Sequence, residues 1–149
     1  MSGANNGGRL PTGMQQQRPA MAVLFIDPDT ESAERLSRAL RGVSAVAVVP
    51  TAQAATTAMN TRMPNLIVLE LDLPDASGFD LITHLHNAPA TRNVLVMVVT
   101  SRTSVRDKIT AFQSGADDYM VKPVDPQQFA VHVQLLSRFR QVIGYSNFS

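Results

Sequence analysis

The sequence predicts a doubly wound α/β fold, in which one parallel five-stranded sheet is covered by helices on both faces. From Met21 onward, apolar runs of strand length alternate with segments of helical periodicity. The runs are almost continuous in Val, Ile and Leu, which is typical of strands buried on both faces of a parallel sheet. With 149 residues and a hydrophobic fraction of 44%, the chain can form one core plus a tail.

Five apolar runs supply the predicted strands. They span residues 22–26, 43–49, 66–69, 94–99 and 119–121. Because crossover connections between parallel strands are right-handed, the alternation of strand and helix predicts a single open sheet with helices on either side.

The first predicted helix follows the first strand directly. Asp27 is a suitable N-cap, with Pro28 at the first helical position. The periodicity then places Ala33, Leu36 and Leu40 on one inward face.

The second and third helices are predicted by shorter sequence patterns. Thr51 is expected to cap an Ala-rich helix that stops before Pro64. A third helix is expected at residues 78–86, opened by a glycine.

The last two helices show clearer ends. The fourth should end at Gly115, and the fifth should be capped by Asp125, with a proline at its first position. Val105, Ile109 and Phe112 share one apolar face of the fourth helix, and Phe129, Val133 and Leu136 are expected to point inward from the fifth.

Composition limits the function classes. Residues 1–20 are rich in Gly, Asn, Gln and Pro and predict a disordered tail, followed by a domain at 21–143 and a short tail at 144–149. The net charge of +1 without a basic block gives no sign of nucleic-acid binding. The start of the chain lacks the apolar core of a signal peptide, and no apolar run reaches the roughly 18 residues of a membrane helix. We therefore expect a cytoplasmic protein with neither a nucleic-acid nor a membrane partner.

Polar side chains follow four of the predicted strands. Asp27, Glu70, Thr100 and Lys122 come after the first, third, fourth and fifth strands. Ligands of such sheets bind outside the carboxyl ends of the strands, so these side chains should lie together. The carboxylates could hold a hard cation such as Mg²⁺, whereas the hydroxyl and ammonium could hold an anion or pair with the acids.

Two segments carry a family resemblance. In the segment 65–78, Glu70, Pro74 and Gly78 are spaced four residues apart, and the segment 115–123 reads Gly-Ala-Asp-Asp-Tyr-Met-Val-Lys-Pro. Together they resemble the receiver domains of bacterial response regulators, over about residues 22–143. The resemblance implies a flavodoxin-like (βα)5 fold with strand order 2-1-3-4-5.

The resemblance also implies roles for individual residues. Lys122 would contact the phosphate and form a cis peptide bond with Pro123. Thr100 would be the hydroxyl that reports phosphorylation, and Tyr119 the aromatic that moves between inward and outward positions. Asp27 would be one of two acids that ligate Mg²⁺.

A contact surface is implied in the same way. In the family it is formed by the fourth helix, the fifth strand and the fifth helix, which here include Arg106, Lys108, Tyr119 and Gln128. Its partners would be signalling proteins, either a histidine kinase or a downstream effector, and the resemblance also allows a homodimer through this face.

Two positions depart from the family pattern. Glu70 stands where the family has the Asp that accepts the phosphoryl group, and Pro28 stands where the second metal-binding acid is expected. The glutamate carboxylate is one methylene, roughly 1.5 Å, further from the backbone. Because phosphoryl transfer depends on placement and on charge neutralisation, both changes oppose it. We expect an atypical receiver, not an enzyme, with no tightly bound cofactor and with Mg²⁺ binding weak or absent.

The residues leave alternatives open at the site. For Glu70 the alternatives are an imitation of a phosphorylated Asp, a poor phosphate acceptor, and a vestige that pairs with Lys122. For Asp27 they are a helix cap alone and a cap that also forms a weak cation site.

For Asp72 the alternatives are a member of the acid cluster, a partner of Arg102, and a solvated loop acid. For Thr100 the alternative to the reporting role is a cap on loop backbone groups, and for Tyr119 the alternative to the switching role is a packed edge aromatic. If Glu70 and Lys122 pair in an open site, Lys122→Ala should cost about 1 kcal/mol.

Two other functions are also considered. The first is a phosphorylation-competent receiver that takes phosphate from a histidine kinase at Glu70 or at Asp72. The second is a flavodoxin-like binder of a small ligand. The acidic segment 27–30 disfavours it, because an anion-binding loop would be needed there.

Overall fold

The computed structural model describes residues 21–147, with side chains described for 21–138 apart from Ser44. The strands are β1 (Met21–Ile26), β2 (Val43–Val49), β3 (Leu66–Leu69), β4 (Leu95–Thr100) and β5 (Asp118–Val121). The helices are α1 (Thr30–Ser37), α2 (Ala52–Thr61), α3 (Gly78–Asn87), α4 (Val105–Ser114) and α5 (Pro126–Asn147). The predicted tail at 1–20 lies outside the described residues. Helix α5 continues beyond residue 143, where the sequence predicted the domain to end.

The sheet has the predicted architecture. All five strands are parallel and follow the order β2-β1-β3-β4-β5. Ile26 of β1 is in register with Leu69 of β3, so the residues that follow these two strands emerge side by side. Thr100 of β4 is likewise in register with Val121 of β5. The register therefore brings the polar strand ends to one edge.

Two apolar layers bury the sheet on both faces. Helices α1 and α5 cover one face, around Phe25 and Phe129, whose ring centroids are 5.9 Å apart. Helices α2, α3 and α4 cover the other face, around Ile26 and Ile82. This two-sided burial explains why the strands are almost continuously apolar. None of the described helices is both long and apolar enough to cross a membrane.

The predicted start of α1 was wrong. The N-cap is Asp29, whose side chain accepts a hydrogen bond from the Ser32 amide at 3.1 Å. Asp27 directly follows β1 and is joined to the end of β2, because its amide donates to the Val49 carbonyl at 2.9 Å. Its Oδ1 accepts from the Asp29 amide at 2.9 Å, which leaves the other carboxylate oxygen for the site. Leu40 is buried as expected but lies beyond the helix end.

Other predicted helix ends are confirmed. The Thr51 side chain accepts from the Ala54 amide at 3.0 Å, and the Asp125 side chain accepts from the Gln127 amide at 2.8 Å. Gly115 ends α4 with a φ of 127°, a conformation that favours glycine.

The apolar face that the sequence predicted on α4 is exposed in the structure. Val105, Ile109 and Phe112 are 69%, 50% and 47% exposed. The buried residue of this helix is Ala111, which packs into the layer below α4. Periodicity identified the apolar stripe correctly, but it does not reveal whether another element covers that stripe.

Candidate functional site

Four polar side chains meet at the carboxyl edge of the sheet, as the strand ends predicted. Asp27, Glu70 and Thr100 are 6%, 7% and 0% exposed. Lys122 reaches them from the end of β5. The Lys122–Pro123 peptide bond is cis, as the resemblance implied. The group is therefore a compact, largely buried cluster rather than an open surface pair.

Lys122 bridges the two carboxylates. Its Nζ lies 2.8 Å from Asp27 Oδ2 and 3.1 Å from Glu70 Oε1. Burial alone would lower the pKa of Lys122, but the hydrogen bonds to Asp27 and Glu70, together with the negative charges of these carboxylates, outweigh burial and raise that pKa. Burial also raises the pKa of Asp27, more than its bond to Lys122 lowers it. The two directions are compatible because one ammonium cannot balance two buried carboxylates.

The second oxygen of Glu70 is held from the other side. Glu70 Oε2 accepts a hydrogen bond from the Thr100 hydroxyl at 2.5 Å and another from the Asp72 amide at 3.2 Å. The Glu70 carboxylate therefore spans the distance from the Lys122 ammonium to the Thr100 hydroxyl. Such a bridge fixes its orientation.

Asp72 does not join the acid cluster. Its carboxylate contacts Arg102, with the Arg102 Nη2 at 2.6 Å from Oδ1 and Nε at 3.1 Å from both oxygens. These hydrogen bonds lower the pKa of Asp72. Among the three alternatives left open by the sequence, the structure places Asp72 with Arg102.

Arg102 has further contacts that the sequence did not reveal. Its guanidinium lies 5.5 Å from the Phe79 ring centroid and 3.4 Å from Asp107. Its amide donates to Thr100 Oγ1 at 3.3 Å, and its carbonyl accepts from the Tyr119 hydroxyl at 2.9 Å. Arg102 thus links the site to β5. No spacing in the sequence signals these contacts, because they join separate loops.

The four residues of the predicted contact surface differ in their exposure to solvent. Arg106 and Gln128 are exposed, whereas Lys108 and Tyr119 are half-buried. The Lys108 ammonium lies 5.8 Å from the Tyr119 ring centroid. Burial raises the pKa of the Tyr119 hydroxyl. Tyr119 therefore connects the buried site with the surface of α4.

The loop between β3 and α3 is anchored by a residue that sequence reasoning missed. The carboxylate of Asp75 accepts hydrogen bonds from the amides of Ala52 and Gln53 at 2.9 and 3.0 Å. These bonds satisfy two unpaired amides at the start of α2 and lower the pKa of Asp75. The loop that follows Glu70 is therefore anchored to the start of α2.

Comparison with known proteins decides the family. Residues 23–134 match the model of the response regulator receiver domain. The chain belongs to this family. It is a receiver domain of two-component signalling, and the small-ligand binder considered above receives no support from the match.

Curated relatives agree with this assignment, and a solved structure shares the fold. The chain is 34% identical over 113 residues to the DNA-binding response regulator MtrA of Mycobacterium tuberculosis, covering 75% of this chain and 48% of MtrA. It is 33% identical over 140 residues to the transcriptional regulatory protein PrrA of Mycobacterium leprae, covering 93% of this chain and 57% of PrrA. The chain thus spans about half the length of these curated relatives. A CheY-like receiver from Methanospirillum hungatei, 22% identical, has the same fold with a TM-score of 0.75, covering 83% of this chain and 98% of that one.

The site residues do not fit the Mg²⁺ ion that receivers are expected to bind. Asp27 and Glu70 converge, but the Lys122 ammonium lies against both carboxylates. Pro28 offers no side-chain ligand, and Asp72 is held by Arg102. Within the described part of the chain, no group of three or more acidic, His or Cys residues could hold a metal ion. Mg²⁺ demands near-octahedral oxygen coordination, which this cluster does not provide.

We therefore predict weak Mg²⁺ binding, with a dissociation constant of about tens of millimolar or more, because two carboxylates that share an ammonium make a poor cation site. Titration of the protein with MgCl2, followed by amide NMR shifts around Asp27 and Glu70, checks this. Lys122→Met should tighten binding, because it removes the competing cation. Saturation of the wild-type protein below a millimolar would contradict the prediction.

Proposed function

We propose that this chain is an atypical receiver that signals by binding other proteins, without aspartyl phosphorylation. Glu70 acts as a permanent negative charge at the position where other receivers carry a phosphorylated Asp. The domain is a cytoplasmic signalling module rather than an enzyme. Its partners are signalling proteins, either a histidine kinase or a downstream effector.

The observation that supports this proposal is that both oxygens of the Glu70 carboxylate are hydrogen-bonded. One oxygen contacts the Lys122 ammonium and the other contacts the Thr100 hydroxyl. By family resemblance, these are the two groups that contact the phosphoryl group and report its presence. Glu70 carries one charge, whereas a phosphoryl group carries nearer two, so the imitation is incomplete in charge but makes both contacts.

The same geometry disfavours phosphorylation. Transfer requires a nucleophilic oxygen free to approach the phosphorus, with cations that neutralise the developing charge. Both Glu70 oxygens already accept hydrogen bonds. The replacement of the second metal-binding acid by Pro28 removes a further contribution to charge neutralisation.

Incubation with acetyl phosphate and Mg²⁺ should leave the intact mass of the wild-type protein unchanged. Glu70→Asp alone should restore little phosphorylation, because Pro28 still leaves the cation one carboxylate ligand short. Glu70→Asp combined with Pro28→Asp should restore more, since it returns both the nucleophile position and the ligand. Intact-mass spectrometry across a time course measures all three.

The alternative of a phosphorylation-competent receiver rests on membership of the family and is tested by the same experiment. A gain of one phosphoryl group in the wild-type protein that disappears in Glu70→Gln would favour the alternative and reject our proposal. Asp72→Asn tests the other candidate acceptor, because it removes a neighbouring carboxylate that the structure pairs with Arg102.

A further inference from the structure

The sheet has one long edge strand with an open side. Within the described residues, β2 pairs with β1 alone, so the other side of β2 has no neighbouring strand. Edge strands present unpaired amide and carbonyl groups, and proteins commonly protect them with charged residues, with proline or by making them short. Strand β5, at the opposite edge, has only four residues and carries Asp118. Strand β2 has seven residues, and none of them is charged or a proline.

The surroundings of β2 are poor in charge as well. Residues 42–61, which span β2 and α2, contain no Asp, Glu, Lys or Arg. Val46 in the middle of the strand is 40% exposed, and Ala47 beside it is exposed. A groove of about 280 Å³ adjoins them, lined by residues of β1 and β2, the last turn of α2, Arg62 and Pro64. A partner strand on this edge would therefore cover apolar surface as well as main-chain groups.

The pairing of β2 with β1 determines which main-chain groups point outward. The Val49 carbonyl accepts a hydrogen bond from the Asp27 amide, so the main chain of Val49 is directed toward β1. The main-chain groups of successive residues in a strand point to opposite sides. The amides and carbonyls of Val48 and Val46 therefore point away from the sheet, where a further strand can pair with them.

Strand β2 is self-complementary under two-fold symmetry. If two copies of β2 pair antiparallel about Val46, the outward-pointing amide and carbonyl of Val46 meet the same groups of the second copy. Val48 likewise meets residue 44. No charged side chain faces another in this alignment, because the strand contains none. The facing positions are 43 with 49, 44 with 48, 45 with 47, and 46 with itself.

Helix α1, which leads into β2 and packs against it, is complementary in charge to a second copy of itself. Its exposed acids, Glu31 and Glu34, precede two exposed bases, Arg35 and the C-cap residue Arg38. The two-fold axis between antiparallel strands is perpendicular to the sheet, so both copies of α1 lie on the same face and run in opposite directions. The acidic half of one helix is then nearest the basic half of the other, and opposite charges favour association.

We propose that β2 is a docking edge for a second copy of this chain, which pairs antiparallel with it and joins two five-stranded sheets into one. Addition of a strand to an open edge is a recurrent mode of recognition, in which main-chain hydrogen bonds give affinity and side chains give specificity. This edge lies across the sheet from β5, so it is distinct from the contact surface that the family resemblance implied. The inference does not depend on the state of Glu70.

Charged substitutions at the centre of the interface test the proposal. Sedimentation equilibrium of the full chain should show a monomer–dimer equilibrium. Val46→Lys and Val46→Glu should each raise the dimer dissociation constant at least about tenfold, because each places two like charges face to face. An equal mixture of the two variants should restore the dimer, since Lys then faces Glu. Restoration is expected only if position 46 faces itself across the interface, and it also verifies that both variants are folded.

Ile109→Lys is the matched control. It places the same charge on an apolar residue of α4 that is 50% exposed, comparable with the 40% of Val46, and it should leave the dissociation constant nearly unchanged. Amide hydrogen exchange gives a second measurement. Exchange at Val46 and Val48 should slow as the protein concentration rises, because these amides become hydrogen-bonded in the dimer.

Several outcomes would overturn the inference. These are a wild-type protein that stays monomeric up to about a millimolar, a dimer that Ile109→Lys abolishes and Val46→Lys leaves intact, or a mixture of the two Val46 variants that stays monomeric. Nuclear Overhauser contacts between β2 and residues 1–20 within a monomer would assign the edge to that segment and would also overturn it. The mass measurement described above tests the proposed function separately.

Discussion

Replacing Lys122 by Ala should lower the free energy of unfolding by about 3 kcal/mol, because removal of one partner leaves buried carboxylates without a cation. The side chains of Asp27, Glu70 and Lys122 are only 8%, 9% and 16% exposed. The value of about 1 kcal/mol expected from the sequence applied to an open, hydrated site, and burial makes that value too small. Urea denaturation of the wild-type and variant proteins measures the difference.

A double-mutant cycle separates the interaction energy of Lys122 with Glu70 from the packing energy of each side chain. Lys122→Ala combined with Glu70→Ala should cost less than the sum of the two single changes, since the charge left by one change is removed by the other. Lys108→Ala is the control, because its ammonium lies over a ring on the surface and should matter little. Strict additivity between Lys122 and Glu70 would count against the contact and against the imitation of a phosphorylated Asp.

The same cluster predicts a dependence on pH. The pKa of Lys122 is raised above its ordinary value of 10.5. Its contribution to stability is therefore complete below that ordinary value, and it is lost as the pH rises through the higher pKa of the folded state. Lys122→Ala should lack this particular loss when unfolding is compared at neutral and strongly alkaline pH.

Replacing Gly78 by Ala should lower the free energy of unfolding by about 3 kcal/mol, because the new methyl group would overlap backbone atoms that cannot move aside. A Cβ at this position would lie 2.6 Å from the Leu71 Cα and 2.9 Å from the Leu71 carbonyl oxygen. The Gly78 amide also donates to that carbonyl at 2.9 Å. Denaturation of Gly78→Ala measures the cost.

Gly42 provides the matched control. A Cβ there would meet nothing within 4 Å, but its φ of 73° is one that other residues rarely adopt. Gly42→Ala should therefore cost only about 1 kcal/mol, from backbone conformation alone. If both substitutions cost the same small amount, the close approach of Gly78 to the Glu70 loop is not rigid.

The sequence alone was sufficient for the fold and for the grouping of the site. Continuous apolar runs report burial on both faces, and the caps at Thr51, Asp125 and Gly115 depend only on nearby residues. The grouping of Glu70, Thr100 and Lys122 followed from topology, because parallel strands end at one edge. These features are local or are imposed by strand order.

Contacts between distant segments required the tertiary structure. Asp27 appeared to cap a helix, but its amide is held by Val49 of the neighbouring strand. The pairing of Asp72 with Arg102, and the anchoring of the same loop by Asp75, join segments whose distance in space no spacing reveals. Glycine is likewise needed at position 78 because the backbone of Leu71 lies close to it, and not because of the backbone conformation of Gly78 itself.

Helix α4 shows most clearly what the sequence leaves undetermined. Its periodicity determined that Val105, Ile109 and Phe112 share one side, because 3.6 residues complete each turn of a helix. Whether that side faces the core depends on how the helix sits on the sheet. Only the tertiary structure decided this, because Ala111 packs inward and leaves the apolar stripe exposed.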